Sequence, residues 1–402
     1  MWNQKAFERG NSRSVIRELF AYGQKIKAER GEEAVCDFSL GNPATPPPEE
    51  VLTAFRTFAA SDDPMALHGY TAAEGDLGVR KTLADRDTRR TGEPLTAEHY
   101  FLTAGAAPAL TAVCYALTVG AGDEFIAPAP YFPEYAVFST VAGGVFRALP
   151  ARLPDLGIDA EALGEMITPA TRGVFINSPN NPSGVVYTRE NLLEVAAVLT
   201  EKSREVGHPI YLICDEPYRE LVYDGAEVPY LPAIYPATVV CYSYSKSYSL
   251  PGDRIGYVLV PPTCPEHGEL RAAIAGAART LGHVCAPALL QYVVAAAEAK
   301  PDLAFYDANR RTLYDALTSC GYECVFPAGA FYLLCRAPGG DAKAFSEEAK
   351  TREGILVVPC DGFGLPGYVR IAYCVAPSVI ARSLSGFERL AVLYRSRGIS
   401  IK

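Results

Sequence analysis

The sequence predicts an α/β protein whose main part is a mostly parallel β-sheet covered by helices on both faces. Strand and helix signals alternate from roughly residue 45 to residue 285, which is typical of repeated βα units. Several strand segments are apolar throughout, as in residues 209–214, and this favours burial on both faces. Later helices and short strands indicate a smaller α+β domain. We therefore predict a large domain over 45–285 and a small domain from 1–44 and 286–402.

Composition and charge restrict the classes of protein to consider. With 402 residues, 49% of them hydrophobic, the chain can bury two cores. A net charge of −9 argues against nucleic acid or a membrane surface as the main partner. The N-terminus lacks an apolar signal core, and no apolar run reaches the about 18 residues of a membrane span.

The cysteines and histidines predict a reducing compartment and no metal site. The eleven cysteines are scattered without a C-x-x-C pair, and several lie within apolar runs. The five histidines are dispersed as well. We therefore expect a cytoplasmic protein with buried thiols.

Two turns early in the chain adjoin predicted elements. A helix is predicted over about residues 13–30, and a strand then ends in a Gly-Asn-Pro turn that begins at Gly41. A Gly-Tyr turn at Tyr70 precedes a helix near residues 75–90. Taken alone, both are ordinary turns.

A strand over residues 100–103 runs into a turn of small residues and an apolar helix near residues 109–119. Strand, turn and helix in this order point backbone N–H groups at an anion. Gly105 permits the tight turn, and the amides of Ala106 and Ala107 are the predicted donors.

Two further strands end in loops with distinctive residues. The strand at 124–127 leads to a proline-rich turn with two aromatic residues, Tyr131 and Phe132. The strand at 173–177 ends in a loop of two asparagines and two prolines that includes Asn181. The peptide bond after Asn181 precedes a proline and is predicted to be cis.

The apolar strand over 209–214 ends at Asp215, and Tyr218 follows three residues later. In open α/β sheets, ligands bind at the carboxyl ends of the strands. Asp215 is therefore a candidate ligand-binding carboxylate, although the Asp–Tyr spacing alone is a weak signal.

A lysine among hydroxyl side chains follows the next apolar strand. Lys246 lies beside Ser243 and Ser245, and Arg254 comes eight residues later, after a Pro-Gly turn. An isolated Ser-Lys pair would simply be a surface lysine. A lysine amine can form a Schiff base with a carbonyl, and hydroxyls with a guanidinium suit a phosphate. Together these groups predict pyridoxal phosphate as the ligand.

Arg370 lies in an apolar strand predicted over residues 367–373. A buried arginine needs a partner, and the planar guanidinium holds a carboxylate through two hydrogen bonds. A ligand carboxylate is one candidate partner. The alternative is an edge-strand arginine that faces water.

In this order, the motifs resemble those of the class I and II aminotransferases, which are pyridoxal-phosphate enzymes of fold type I similar to aspartate aminotransferase. The resemblance covers the chain from about residue 35 to residue 390. Single motifs are weak, but their ordered occurrence is specific. The motif residues are Gly41, Tyr70, Gly105, Phe132, Asn181, Asp215, Tyr218, Lys246, Arg254 and Arg370.

The resemblance implies a role for each of these residues, with residues 45–285 as the cofactor-binding domain. The predicted cofactor ligands are Gly105, Ala106, Ala107, Ser243, Ser245, Arg254 and the neighbouring subunit's Tyr70 at the phosphate, Phe132, Asn181, Asp215 and Tyr218 at the ring, and Lys246 as a Schiff base. The predicted substrate ligands are Gly41, Asn181 and Arg370, and the predicted catalytic residues are Lys246, Asp215 and Tyr218. Tyr70 implies a homodimer with shared active sites.

The activity implied is transfer of the amino group of an L-amino acid to a 2-oxo acid. A carbon–sulfur β-lyase or another eliminating enzyme would use the same residues and stays an alternative. A regulator on this fold would need a fused nucleic-acid-binding domain, which the length and charge disfavour. The sequence leaves the amino acid open, with Arg13, Arg17 and Tyr22 as candidate contacts by their position.

Overall fold

The structure is a computed structural model that describes residues 2–11 and 14–401. The candidate substrate contact Arg13 lies outside the described residues. The chain divides into a small unit, made of Met1–Ala44, Pro182–Gly184 and Leu303–Lys402, and a large unit, made of Thr45–Asn181 and Val185–Asp302.

The strands of the described residues are β1 Cys36–Asp37, β2 Tyr100–Thr103, β3 Glu124–Pro128, β4 Val145–Leu149, β5 Thr171–Asn177, β6 Tyr211–Asp215, β7 Thr238–Ser243, β8 Gly256–Leu259, β9 Cys324–Val325, β10 Tyr332–Arg336, β11 Ile355–Leu356, β12 Val358–Pro359 and β13 Tyr368–Ala372. The α-helices of the same ranges are α1 Gln4–Asn11, α2 Val15–Arg30, α3 Glu49–Ala59, α4 Pro64–His68, α5 Leu77–Thr91, α6 Ala106–Leu117, α7 Glu134–Val141, α8 Ala160–Met166, α9 Arg189–Val206, α10 Tyr244–Ser247, α11 His267–Thr280, α12 Ala288–Ala296, α13 Leu303–Ser319, α14 Ala342–Glu353 and α15 Pro377–Ser396.

The large unit is built on a seven-stranded sheet in the order β2-β8-β7-β6-β5-β3-β4. Strands β4, β3, β5, β6 and β7 are parallel, and β8 is antiparallel to both of its neighbours, β7 and β2. The prediction of a mostly parallel α/β sheet is confirmed. With this arrangement, the carboxyl ends of β2, β3, β5, β6 and β7 all lie at one edge of the sheet.

Two hydrophobic cores cover the two faces of this sheet, because successive side chains of a strand point to opposite sides. In β6, Leu212 and Cys214 pack into the core with α3, α5, α9 and α12, whereas Ile213 packs into the core with α6, α7 and α11. Helices therefore cover both faces, as predicted. The alternation also decides which face each residue near the end of β6 meets.

The small unit contains the four-stranded antiparallel sheet β12-β13-β10-β9 and the parallel pair β1-β11. Leu334 of β10 lies opposite Arg370 of β13, and Cys36 of β1 pairs with Ile355 of β11. Helix α15 packs against α13 and α14 in this unit. Strands and helices are mixed here, as an α+β domain requires.

Two details differ from the sequence-based predictions. Helix α12 packs against α3 and α5, so the large unit extends to Asp302 and not to the predicted residue 285. The cis peptide bonds of the described residues precede Pro130, Pro154 and Pro179, so the predicted cis bond before Pro182 is wrong. The assignment of the two units as domains stays a prediction. None of the helices among the described residues is both long and apolar enough to cross a membrane.

Candidate active site

The predicted cofactor segments of the large unit each follow the carboxyl end of a strand. Gly105 follows β2, Phe132 follows β3, Asn181 follows β5, Asp215 ends β6 and Lys246 follows β7. Since these strand ends lie at one edge of the sheet, the fold collects the segments at the place where open α/β sheets bind ligands.

Asp215 is buried and only partly satisfied by the protein. Its Oδ2 accepts a hydrogen bond of 2.8 Å from the Tyr135 hydroxyl, whereas Oδ1 is buried without a hydrogen-bond partner among the described residues. Burial raises the pKa of Asp215 to about 7, against the lowering effect of the Tyr135 hydrogen bond, and the neighbouring Glu216 raises it further. A buried carboxyl of this kind can hold a donor or cation supplied by a ligand.

The two aromatic residues after β3 have different neighbours. The ring of Phe132 packs edge-on against Tyr135, with 5.7 Å between ring centroids, so it belongs to the group around Asp215. The ring of Tyr131 instead contacts Phe146, at 5.0 Å. This geometry favours Phe132 over Tyr131 as the aromatic residue beside a ligand of Asp215.

The turn after β2 has the geometry of an anion cradle. Gly105 has φ +91°, and a Cβ atom there would lie 2.5 Å from Nη2 of Arg254, so only glycine fits. Helix α6 begins at Ala106, which directs its first N–H groups to the same turn. Ala107 lies in this first turn as well.

Arg254 connects this cradle to the lysine segment. Its Nη1 donates to the Ser245 hydroxyl at 3.3 Å, and the hydroxyl oxygens of Ser243 and Ser245 are 2.6 Å apart. Arg254 itself has φ +62°, a left-handed conformation that is uncommon for residues other than glycine. Such strained residues cluster at functional sites, where the surroundings hold them in place.

Lys246 lies on the short helix α10, and its side chain is half-buried. Ser243 caps this helix, because its hydroxyl accepts a hydrogen bond of 3.2 Å from the Ser245 amide. The backbone of Ser249 then adopts φ +53°, which ends the turn. The lysine is therefore carried by a rigid, capped turn.

Asn177 joins the loop of Asn181 to the end of β6. The Asn177 side chain donates to the Asp215 carbonyl at 2.8 Å and accepts from the Asn181 amide at 2.7 Å. Asn180 donates to the Pro130 carbonyl at 3.1 Å. The loops after β3, β5 and β6 are thus fixed to one another by buried amides. Tyr218, also buried, lies just beyond β6.

Two predicted substrate ligands belong to the small unit. Arg370 is buried, its Nη2 donates to the Ser39 carbonyl at 2.5 Å, and its guanidinium lies over the rings of Tyr332 and Phe363 at 4.7 and 5.2 Å. A Cβ atom on Gly41 would overlap the Tyr332 hydroxyl. The alternative of a water-facing arginine is wrong, because Arg370 is 2% exposed.

Tyr70 differs from the other predicted ligands, since its side chain is 91% exposed. Arg17 and Tyr22 lie on α2 of the small unit. For Tyr22 the structure records the Lys350 ammonium 5.1 Å from its ring centroid.

Sequence reasoning missed Tyr135, Asn177 and a group of charged residues behind Asp215. Asn177 carried a signal, because it is a polar residue at the carboxyl end of an apolar strand. Tyr135 carried none, since its hydroxyl meets a carboxyl 80 residues away. Glu216 and Arg219 are adjacent to the Asp215 motif, and their ion pair, at 3.3 Å, could have been proposed from the i, i+3 spacing.

This arrangement of lysine, anion cradle and buried carboxyl on an α/β sheet is typical of fold type I enzymes that bind pyridoxal phosphate. The family model described as aminotransferase class I and II matches residues 33–385. The chain therefore belongs to the class I and II aminotransferases.

Relatives and solved structures agree with this family. An aminotransferase structure from Eubacterium rectale is 48% identical, covers 98% of this chain and 99% of its own, and superposes with a TM-score of 0.95. The aspartate/prephenate aminotransferase of Thermus thermophilus is 30% identical over 88% of this chain and 90% of its own length. Aromatic-amino-acid aminotransferase 2 of Thermococcus litoralis is 27% identical over 94% and 95%.

The protein is accordingly a transaminase that uses pyridoxal phosphate to transfer amino groups between amino acids and 2-oxo acids. The predicted alternative, a carbon–sulfur β-lyase, is not favoured, because these relatives are aminotransferases.

Proposed function

We propose that Lys246 carries the cofactor and moves the substrate α-proton, and that Asp215 holds the protonated ring nitrogen. The observation that carries this proposal is the buried Oδ1 of Asp215, which has no hydrogen-bond partner among the described residues. When bound, the cofactor supplies an electron sink for the negative charge that develops at the substrate α-carbon. A carboxylate beside a ring N–H completes its own hydrogen bonds and keeps that nitrogen charged.

The residues of the large unit fit this cofactor in chemistry. The backbone amides of the Gly105 turn, the hydroxyls of Ser243 and Ser245, and the Arg254 guanidinium are donors suited to a phosphate. Phe132 offers a flat apolar surface for the ring. Asn181 and Tyr218 carry donors suited to the phenolic oxygen of the cofactor.

Proton transfer falls to the Lys246 amine, with Tyr218 and Asp215 as the other proposed catalytic residues. A neutral amine accepts a proton and so acts as a general base. The buried neighbours of Lys246 on α10 limit the positions that this amine can take.

Borohydride reduction followed by peptide mapping tests the assignment of Lys246. A pyridoxyl group on the peptide that contains Lys246 is expected, and Lys246→Ala should abolish the labelling. A control variant, Lys343→Ala, changes an exposed lysine and should leave labelling intact. A pyridoxyl group on a different lysine would contradict the proposal.

For the substrate, we propose that Arg370, with Gly41 and Asn181, recognises the α-carboxylate. A guanidinium held between two aromatic rings keeps a fixed orientation, which bidentate recognition of a carboxylate needs. An assay with pooled amino acids and 2-oxoglutarate would identify the amino acid used. The relatives' names, which include aspartate, prephenate and aromatic amino acids, define the first substrates to try.

We also propose a homodimer in which Tyr70 completes the phosphate site of the partner. An aromatic side chain that is 91% exposed, five residues after Met65 at 77% exposed, is typical of an interface residue. Mixing a Tyr70→Phe chain with a Lys246→Ala chain should restore one intact site per hybrid dimer. An active monomer at assay concentration would overturn this proposal.

A cytoplasmic role in amino acid biosynthesis completes the proposal. All eleven cysteines are free thiols in the structure, which a reducing compartment preserves. Cell fractionation, with an enzyme assay on each fraction, would test the location.

A further inference from the structure

The turn that carries Lys246 is also held by hydrogen bonds on the face of the sheet opposite to Asp215. Ser247, the residue after the lysine, is buried, and its hydroxyl lies 2.8 Å from the hydroxyl of Tyr242 on β7. The Tyr242 hydroxyl in turn donates to Oε1 of Glu220 at 3.0 Å. None of these three residues belongs to the proposed cofactor ligands.

The direction of this hydrogen-bond chain follows from proton counting. A phenol has one proton, and a carboxylate can only accept, so the Tyr242 proton goes to Glu220. The Tyr242 oxygen must therefore accept from Ser247. This series of hydrogen bonds runs from Ser247 in the lysine turn, through Tyr242, to Glu220 on the segment that follows Asp215.

Arg219 fixes the far end of this chain. Its Nε donates to Glu220 at 3.2 Å, its Nη1 donates to Glu216 at 3.3 Å, and its guanidinium carbon lies 4.3 Å from the ring centroid of Tyr242. One cation thus contacts the ring, the acceptor of the phenol and the residue next to Asp215.

We propose that Tyr242, Glu220 and Ser247, backed by Arg219, are positioning residues that lock the lysine turn to the end of β6 and so orient Lys246 for proton transfer. The proposal rests on the proposed role of Lys246. Buried hydrogen bonds restrict the positions that the short helix α10 can take. Correct placement of a reacting group contributes strongly to the reaction rate.

Amide hydrogen exchange of the full-length protein measures this lock without reference to activity. Tyr242→Phe keeps the ring beneath Arg219 and removes only the shared hydroxyl. Loss of this hydroxyl removes the hydrogen bonds to Ser247 and Glu220, and it should speed exchange of the peptide covering residues 244–249 about three- to tenfold. Ser247→Ala should do the same.

Tyr235→Phe is the matched control. Tyr235 is a buried tyrosine of the same unit, and its hydroxyl donates to the Ile210 carbonyl at 2.8 Å. This variant loses an equivalent hydroxyl but should leave exchange of residues 244–249 unchanged. Unchanged exchange in Tyr242→Phe, or an equal increase in the control, would overturn the proposal.

The double variant Tyr242→Phe with Ser247→Ala provides a second test. Because both changes remove the same hydrogen bond, its effect on exchange should not exceed that of the stronger single variant. If the two effects multiply, the hydroxyls act separately and the proposed lock does not exist.

Kinetics connect the lock to catalysis. In Tyr242→Phe, kcat should fall at least about threefold, whereas KM for the amino acid should stay within about twofold, because the proposed carboxylate contacts are intact. An unchanged kcat, or a KM that changes by the same factor as kcat, would overturn the positioning role and leave these hydrogen bonds a role in stability alone. Failure of the Lys246 assignment is detected separately, by the position of the pyridoxyl label.

Discussion

Two consecutive acids at the end of β6 have opposite surroundings. Asp215 points to the face with α6 and α7, where one oxygen binds Tyr135 and the other has no partner among the described residues. Glu216 points to the opposite face, where it pairs with Arg219 at 3.3 Å. Arg219 also lies near Asp87, which accepts hydrogen bonds from the hydroxyls of Tyr100 and Tyr257.

The contrast supports the proposal that Glu216 serves the fold and that Asp215 serves a ligand. Burial raises the pKa of both carboxyls. The guanidinium of Arg219 opposes this for Glu216, whereas for Asp215 the described residues supply one opposing hydrogen bond, from the Tyr135 hydroxyl. Removing a charge from the Glu216 face should therefore damage stability, whereas removing it from Asp215 should damage catalysis.

Arg219→Met should have the largest effect, on stability. The substitution leaves Glu216 and Asp87 buried without their shared cation, so the free energy of unfolding should fall by about 3–5 kcal/mol. Urea denaturation measures the loss. Arg56→Met, which breaks an ion pair exposed by 66% and 70%, is the control and should cost less than about 1 kcal/mol. A comparable loss in both variants would contradict the comparison.

Asp215→Asn should instead reduce kcat by about 100- to 1,000-fold, because it removes the charge that keeps the ring nitrogen protonated. The rate of α-deuterium exchange, measured with cofactor bound, should fall in parallel. Asp85→Asn changes an exposed acid on α5 and should keep full activity. Unaltered deuterium exchange in Asp215→Asn would rule out the proposed role.

The stability of the cofactor-free protein should depend on pH through Asp215. Its folded-state pKa, about 7, lies above the ordinary 3.8, so the folded state holds the proton more tightly. This stabilisation is complete below about pH 4 and is lost as the pH rises toward 7. Between pH 5 and pH 8 the wild type should lose about 2–3 kcal/mol relative to Asp215→Asn. Parallel stability curves of the two proteins would refute the raised pKa.

Arg370→Lys should have the smallest effect. It extends the comparison from two buried carboxyl groups to a buried guanidinium. Lysine keeps the charge but loses the two-pronged geometry, so kcat/KM for an amino acid should fall at least about tenfold. The corresponding decarboxylated amine should lose much less, because it has no carboxylate to bind. If both substrates lose the same factor, Arg370 serves the fold, which is the role that the stability test examines for Arg219.

Local sequence patterns predicted most strands of the large unit and many residues of the candidate site. Strand periodicity located β2, β3, β5, β6 and β7, and their carboxyl ends then located Gly105, Asp215 and Lys246. The hydrogen-bond partner of Asp215 was not predictable, because the Tyr135 hydroxyl meets that carboxyl only through tertiary packing. The packing of α12 on α3 and α5 could not be predicted for the same reason.

The pairing of β1 with β11 has a consequence for synthesis on the ribosome. Cys36 forms its strand pair only when Ile355 has emerged, whereas the strands of the large unit are all complete by Leu259. At about 5–20 residues per second, the segment with Gly41 waits roughly tens of seconds for its partners. During that interval the edge of β1 is open to wrong pairing, so this segment stays vulnerable until β11 has been made.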